Sequence, residues 1–68
     1  MEEVKITSEY IKLGQFLKLT DIIDSGAQAK GFLEEVSVYV NNEFENRRGR
    51  KLYPGDIVEI NKKLYKLV

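Results

Sequence analysis

The sequence predicts an α+β fold in which a two-helix hairpin packs on a small, mostly antiparallel sheet. Apolar residues recur at helical spacing in the first half of the chain, whereas after Leu33 they alternate with polar residues, which is typical of strands. Turn-forming residues separate the later apolar runs. Because a chain of 68 residues is too short for two hydrophobic cores, we expect a single domain over residues 1–68.

The first elements are a short strand and a short helix. Residues 4–7 alternate between apolar and polar, which predicts a strand. Residues 13–20 have an amphipathic pattern, which predicts a helix. The apolar stripe of this helix is formed by Leu13, Phe16, Leu17 and Thr20. Its polar face carries Lys12, Gln15 and Lys18.

The second helix has a clear start signal at Ser25. Ser25 and Gln28 match a capping box, in which each side chain bonds to the other residue's backbone amide. Ala29, Phe32 and Leu33 then form an apolar stripe. Because a short helix cannot bury such a stripe alone, we expect the two helices to form a hairpin.

The second half of the chain predicts strands joined by turns. We expect strands at residues 36–40, 43–45, 57–60 and 64–68, with turns at 41–42, 54–56 and 61–63 and an exposed loop at 46–51. Leu52 and Tyr53 resume apolar character after the loop. The predicted core comprises Ile6, Leu13, Phe16, Leu17, Ile22, Ile23, Ala29, Phe32, Leu33, Val38, Val40, Leu52, Ile57, Val58 and Ile60.

The composition excludes several classes of site. Cysteine and histidine are absent, which removes disulfides, the usual zinc ligands and the commonest general base. We see no signal peptide and no apolar run of membrane-spanning length, so we expect a cytoplasmic protein without a membrane partner. The net charge is zero, yet residues 1–45 carry four lysines against nine acids and residues 46–68 carry seven cations against two. This asymmetry either indicates a surface for a polyanion or has no functional meaning.

The basic loop is the main candidate for binding. Its cations are Arg47, Arg48, Arg50 and Lys51. Arginine matches phosphate oxygens with two parallel hydrogen bonds, and Gly49 lets the backbone approach a ligand closely. The alternative is a solubilising loop that balances the acidic first half.

Two weaker candidates lie on the helices. The start of the second helix offers backbone amides for an anion near Ser25 and Gly26, with Gln28 and Lys30 close by. The polar face of the first helix could join them in one patch. The alternative for the start of the second helix is ordinary capping, and the alternative for the first helix is a solvated polar face. Taken alone, each feature is better explained by its alternative.

Aromatic and acidic residues give weaker signals. Tyr10, Tyr39, Tyr53 and Tyr65 are candidates for stacking on bases. We expect Tyr39 to be exposed, and Tyr53 is the best candidate because it lies beside the basic loop. The paired carboxylates look like surface residues, no serine has a histidine to activate it, and no phosphate loop is present. We therefore expect no enzyme activity, no cofactor and no metal.

Segments from both halves of the chain resemble the S-four RNA-binding domain. They are LGQFLK at 13–18, SGAQAK at 25–30, VYVNN at 38–42 and NRRGRKLYPGDIV at 46–58. The likeness spans residues 6–60 and is strongest with the stand-alone bacterial members of the YaaA/YbcJ type. It implies an αL-type RNA-binding motif with RNA contacts at the start of the second helix and on the basic loop.

The resemblance also has departures. Ser25, Gln28 and Lys30 match the family's pattern, but Gly26 stands where many members have arginine, and residues 35–37 lack a glycine that is common before the strand. Asn41–Asn42 replaces the usual Asn-Gly, and Gly55–Asp56 matches the family's Gly-Asp. We expect the basic loop to compensate for the missing arginine.

The sequence thus predicts a non-enzymatic module for structured RNA, of ribosomal or transfer type, that acts as a monomer. Affinity would come from phosphate contacts by Lys12, Lys18, Lys30, Arg47, Arg48, Arg50 and Lys51. Ser25 and Gly26 would help to seat a phosphate, and Gln15 and Gln28 are candidates for contacts to base edges or 2′-hydroxyls. The alternative is an adaptor that docks on a ribosomal or replication protein through its acidic first half.

Overall fold

A computed structural model of the protein describes residues 1–68. The helices are α1 (Leu13–Leu19) and α2 (Ala29–Glu35). The strands are β1 (Glu2–Val4), β2 (Ile11–Lys12), β3 (Val38–Val40), β4 (Glu43–Glu45), β5 (Lys51–Leu52), β6 (Ile57–Ile60) and β7 (Lys63–Leu67).

Five strands form the main sheet, in the order β1-β7-β6-β3-β4. Every neighbouring pair is antiparallel except β1 and β7, which run parallel. Strands β2 and β5 form a separate antiparallel pair. The α+β class, with two helices and a mostly antiparallel sheet, is therefore confirmed.

Two tight turns connect the hairpins of the main sheet. Asn41 and Asn42 join β3 to β4 with φ angles of 52° and 69°, and Asn61 and Lys62 join β6 to β7 with φ angles of 52° and 68°. Two consecutive positive φ angles are characteristic of the type I′ turn, whose twist matches that of the flanking strands. Both turns occur where the sequence predicts them.

One hydrophobic core of 14 buried residues joins the helices to the sheet. Phe16 of α1 meets Tyr65 of β7 edge to face, with ring centroids 5.5 Å apart. Most of the predicted core is buried, but Ile6, Ile22, Phe32 and Ile57 are only partly covered. Val4, Tyr65 and Leu67 are buried although the sequence did not place them in the core.

Several predicted elements need correction. The strand expected at residues 36–40 begins only at Val38, and Lys51, expected in the loop, starts β5. The first strand was expected at residues 4–7, but β1 covers Glu2–Val4 because these residues pair in register with Tyr65–Leu67. The predicted second helix begins with a 3₁₀ turn at Gly26–Gln28, and the α-helical part starts only at Ala29. Tight turns of this kind are common at helix N-termini. Neither helix has the length and apolar composition needed to cross a bilayer.

Candidate nucleic-acid interface

The basic loop, residues 46–51, is attached to the start of α1. The first amides of a helix have no partner within the helix. Here the Leu13 amide donates to the carbonyl oxygen of Arg50 over 2.8 Å, and the Gly14 amide donates to that of Arg48 over 2.9 Å. The loop backbone therefore caps α1, which fixes its position relative to the polar face of that helix.

Gly14 lies where the loop and both helices meet. A Cβ atom at this position would lie 3.4 Å from the Cβ of Ala29 and 3.5 Å from both the Cβ and the carbonyl oxygen of Arg48. These are ordinary van der Waals contact distances, so the loop and α2 pack close against the backbone of residue 14. The small residue at position 14 thus allows the loop to lie directly on the helices.

A buried carboxylate organises the arginines of the loop. The side chain of Glu45 is only 5% exposed, and its Oε2 accepts hydrogen bonds from the backbone amide of Arg47 (3.0 Å) and from its Nε (2.9 Å). Oε1 accepts from Nη2 of Arg47 (3.1 Å) and from Nη1 of Arg50 (3.0 Å). Chiefly because of the side-chain hydrogen bond from Arg47, the pKa of Glu45 falls from 4.5 to about 2. Glu45 stays ionised at neutral pH and offsets one of the loop's positive charges.

An open groove runs between α1, the start of the second helix and the loop. We call it the basic groove, and it is lined by Lys12, Gly14, Gln15, Lys18, Gly26, Ala29, Arg48 and Gly49. Three of these side chains are cationic and none is acidic. Glycines at three positions leave parts of its surface as bare backbone, which lets an extended anionic ligand approach closely.

A second depression adjoins the basic groove at Gly49, which lines both. We call it the loop pocket, and it is lined by Arg47, Gly49, Arg50, Lys51, Tyr53 and Asp56. Its single carboxylate already has partners, because Asp56 accepts from the amide of Tyr53 (2.8 Å) and from Nδ2 of Asn41 (3.1 Å). The two depressions together contain most of the cations that the sequence singled out.

The structure leaves three predicted site residues outside these depressions. Ser25, Gln28 and Lys30 line neither the basic groove nor the loop pocket, although Lys30 directly follows the groove residue Ala29. The amide of Gln28 donates to the backbone carbonyl of Ser25 (3.1 Å), and no side-chain hydrogen bond caps the turn from Ser25. These residues shape the start of the second helix.

Both glutamines proposed for base contacts also cap backbone amides. Oε1 of Gln15 accepts from the Lys12 amide over 2.9 Å. Oε1 of Gln28 accepts from the amides of Asp24 (2.6 Å) and Ser25 (3.0 Å). The carbonyl oxygen of Gln28 thus accepts two hydrogen bonds and that of Gln15 accepts one, and the amino groups of both residues can donate to a ligand.

The four tyrosines have different surroundings. Tyr39 is exposed as predicted, whereas Tyr65 is buried in the core and is wrong as a stacking candidate. Tyr53 is 42% exposed, and its ring lies 5.7 Å from that of Tyr10. Nζ of Lys51 lies 4.8 Å from the centre of the Tyr10 ring, a cation–π contact. Tyr10 and Tyr53 therefore form an aromatic cluster beside the basic loop.

The roles of Glu45 and Gly14 were not predicted from the sequence. In the alternating segment 43–45, either Phe44 or its acidic neighbours can face inwards, and the structure buries Glu45 while Phe44 is 58% exposed. The sequence signal for the role of Glu45 was its position, two residues before Arg47 and five residues before Arg50. For Gly14, the signal was a glycine in the first turn of a helix, where it lowers helix propensity.

The fold agrees with the family comparison. The chain belongs to the S4 domain family, whose model matches residues 4–68. It is 63% identical over 57 residues to "Probable ribosome maturation protein RlbA" of Bacillus subtilis (strain 168), an alignment that covers 84% of this chain and 80% of the relative. The resemblance to the S-four domain, including its stand-alone bacterial members, is thereby confirmed.

Proposed function

We propose that this protein is a non-enzymatic module that binds structured RNA, of ribosomal or transfer type, through phosphate contacts in the basic groove. The observation that carries the proposal is the convergence of Lys12 and Lys18 with Arg48, from the other half of the chain, on one open groove free of carboxylates. Membership of the S4 domain family and the ribosome-maturation relative support an RNA partner in the cytoplasm.

Each cation has a role that follows from its surroundings. Lys12, Lys18 and Arg48 line the groove and make no ion pair, so they are available to phosphates. Arg47 and Arg50 share Glu45, which lowers their combined charge but holds their guanidinium groups in place. Lys30 and Lys51 would extend the positive surface at either end. The 2′-hydroxyls of the RNA would accept hydrogen bonds from donors such as the amino group of Gln15.

The salt dependence of binding tests this assignment. RNA binding releases counterions, so the logarithm of the affinity falls linearly with the logarithm of salt concentration, by about 0.7 to 0.9 per phosphate contacted. We expect the double variant Arg47→Ala/Arg48→Ala to bind more weakly and to reduce this slope by about 1 to 2. Filter binding with bacterial total RNA at several salt concentrations measures both quantities.

The matched control removes the same charge elsewhere. Lys62→Ala/Lys66→Ala also deletes two exposed cations, and neither residue lines the groove or the loop pocket. We expect its affinity and salt slope to match those of the wild-type protein. An unchanged slope for the arginine variant would remove the loop from the interface.

The outer face of the main sheet favours a second candidate, an adaptor that docks on a ribosomal protein. Tyr39 and Phe44 are exposed there with ring centroids 6.0 Å apart, and Leu64 is also exposed. Glu59 pairs in register with both Tyr39 and Leu64, so it lies on this face and would suit a basic partner. Failure of the wild-type protein to bind RNA even at low salt would favour this function over the first.

A further inference from the structure

We propose that the loop pocket binds one unpaired nucleobase, which stacks on Tyr53. The proposal rests on the proposed function, since it extends the bound RNA from the basic groove into the adjoining depression. It specifies the RNA as a duplex with an unpaired nucleotide, such as a bulge or an overhang, beside the phosphates held in the groove.

The pocket has the shape and surface that a base requires. It is open to solvent with a volume of about 600 Å³, and Tyr53 is its only apolar lining residue. Tyr53 keeps 42% of its surface exposed, although burial of an aromatic ring in the core would be favourable. Unpaired bases of RNA stack on such exposed aromatic rings and on guanidinium planes.

Arg47 supplies a second flat surface in the same pocket. Its Nε and Nη2 atoms both donate to the Glu45 carboxylate, and these donors lie along the edge of the guanidinium group. The side chain nevertheless remains 74% exposed. The ion pair therefore uses the edge of the group in a fixed orientation, which leaves a planar face available for stacking.

Tyr10 packs against Tyr53, and Lys51 in turn contacts Tyr10. The Tyr10 ring lies against Tyr53 at a tilt of 45°, and Lys51 contacts the Tyr10 ring through its ammonium group. The backbone of Tyr53 is fixed too, since its amide donates to Asp56. A ring supported in this way loses little conformational entropy when a base binds. Tyr10 is accordingly a positioning residue.

The experiment compares two synthetic RNA hairpins that differ by a single base. Both have the same stem and one bulged nucleotide, which is an adenosine in one hairpin and an abasic ribose in the other. Because both carry the same phosphates, any difference in affinity comes from the base. We expect the wild-type protein to prefer the adenosine hairpin by about tenfold, the effect of one base–aromatic stack.

Variants of Tyr53 then locate the base. Tyr53→Leu should abolish the preference for the adenosine hairpin, and Tyr53→Phe should retain it. Arg47→Lys keeps the positive charge but removes the planar guanidinium group, so it should reduce the preference for the adenosine hairpin. Tyr39→Leu is the control, because Tyr39 is an exposed tyrosine outside the groove and the loop pocket. Circular dichroism confirms that each variant is folded.

The outcomes separate this proposal from the proposed function. Equal wild-type affinity for the two hairpins overturns the stacking site while leaving RNA binding intact. A preference for adenosine that survives in Tyr53→Leu also overturns it, because the base then lies elsewhere. Binding of neither hairpin, even at low salt, overturns the RNA-binding function itself.

Discussion

At the scale of single residues, Glu45 connects the core to the binding surface. It is the one charged residue among the buried side chains, and burial of a carboxylate is costly unless ion pairs and hydrogen bonds compensate. Arg47 and Arg50 provide both. The acid thus fixes the direction of two arginines that, on an unsupported loop, would sample many orientations.

Comparison with Glu45→Gln should reveal how much the ionised Glu45 carboxylate stabilises the fold and how this stabilisation depends on pH. The folded-state pKa of Glu45 is depressed to about 2 from an ordinary 4.5. The carboxylate therefore stabilises the fold above pH 4.5, and this stabilisation disappears as the pH falls from there towards 2. Because Arg47 is largely exposed to solvent, we expect a loss of about 1 to 3 kcal/mol at neutral pH.

Urea denaturation of the wild-type protein and of Glu45→Gln across this pH range provides the measurement. The difference in free energy of unfolding should be largest near neutral pH and shrink towards zero in acid. Glu43→Gln is the matched control, since Glu43 lies on the same strand, is exposed and forms no ion pair. A constant difference at every pH would contradict the assigned ion pair.

At the scale of elements, the two type I′ turns show how local backbone geometry sets the hairpins. Asparagine tolerates the left-handed conformation, whereas lysine adopts it at a cost of about 1 to 2 kcal/mol. Lys62 has a φ of 68°, so the β6–β7 turn carries strain that the β3–β4 turn largely avoids. The surrounding sheet must hold Lys62 in this conformation.

Replacement of Lys62 by glycine should therefore stabilise the protein. Glycine removes the left-handed penalty but loses more backbone entropy on folding, so we expect a net gain of about 0.5 to 1 kcal/mol. Asn42→Gly should give a smaller gain in stability, because asparagine already tolerates the left-handed conformation. Thermal denaturation measures both, and Lys62→Ala is the control because it removes the charge but keeps the Cβ atom. A gain from Lys62→Ala equal to that from glycine would assign the effect to charge.

The sequence predicted those elements whose signals are local. The spacing of Leu13, Phe16 and Leu17 specifies α1, and paired asparagines specify the β3–β4 turn. The parallel pairing of β1 with β7 was not predictable in this way, because it joins segments from opposite ends of the chain. That pairing also explains why Val4 and Leu67 were missed as core residues.

At the scale of the whole molecule, folding gathers cations that the sequence disperses. Lys12 and Lys18 come from the acidic half of the chain, Arg48 from the basic half, and all three line one groove. Sequence alone could name these residues by type, but their convergence depends on the hydrogen bonds from Leu13 and Gly14 to the loop backbone. Neither bond has a signature in side-chain chemistry, since both partners are backbone groups.

The same attachment predicts that the groove and the sheet unfold together. Both helices and the main sheet share one core, and within the sheet β7 lies between β1 and the central strand β6. Leu67 of β7 is fully buried, so Leu67→Ala should cost about 2 to 5 kcal/mol. This is a large part of the total stability of roughly 3 to 10 kcal/mol expected at this size.

Heating should therefore abolish RNA binding and sheet structure in one transition. The same should hold for Leu67→Ala, with the transition at a lower temperature. Circular dichroism follows the sheet, and the anisotropy of a labelled hairpin RNA, present at trace concentration, follows binding. Arg48→Ala provides the converse control: because Arg48 is exposed and unpaired, its loss should weaken binding without lowering the midpoint of the sheet transition. Loss of binding well below the melting of the sheet would show instead that the loop and α1 detach independently, contrary to a groove built on the common core.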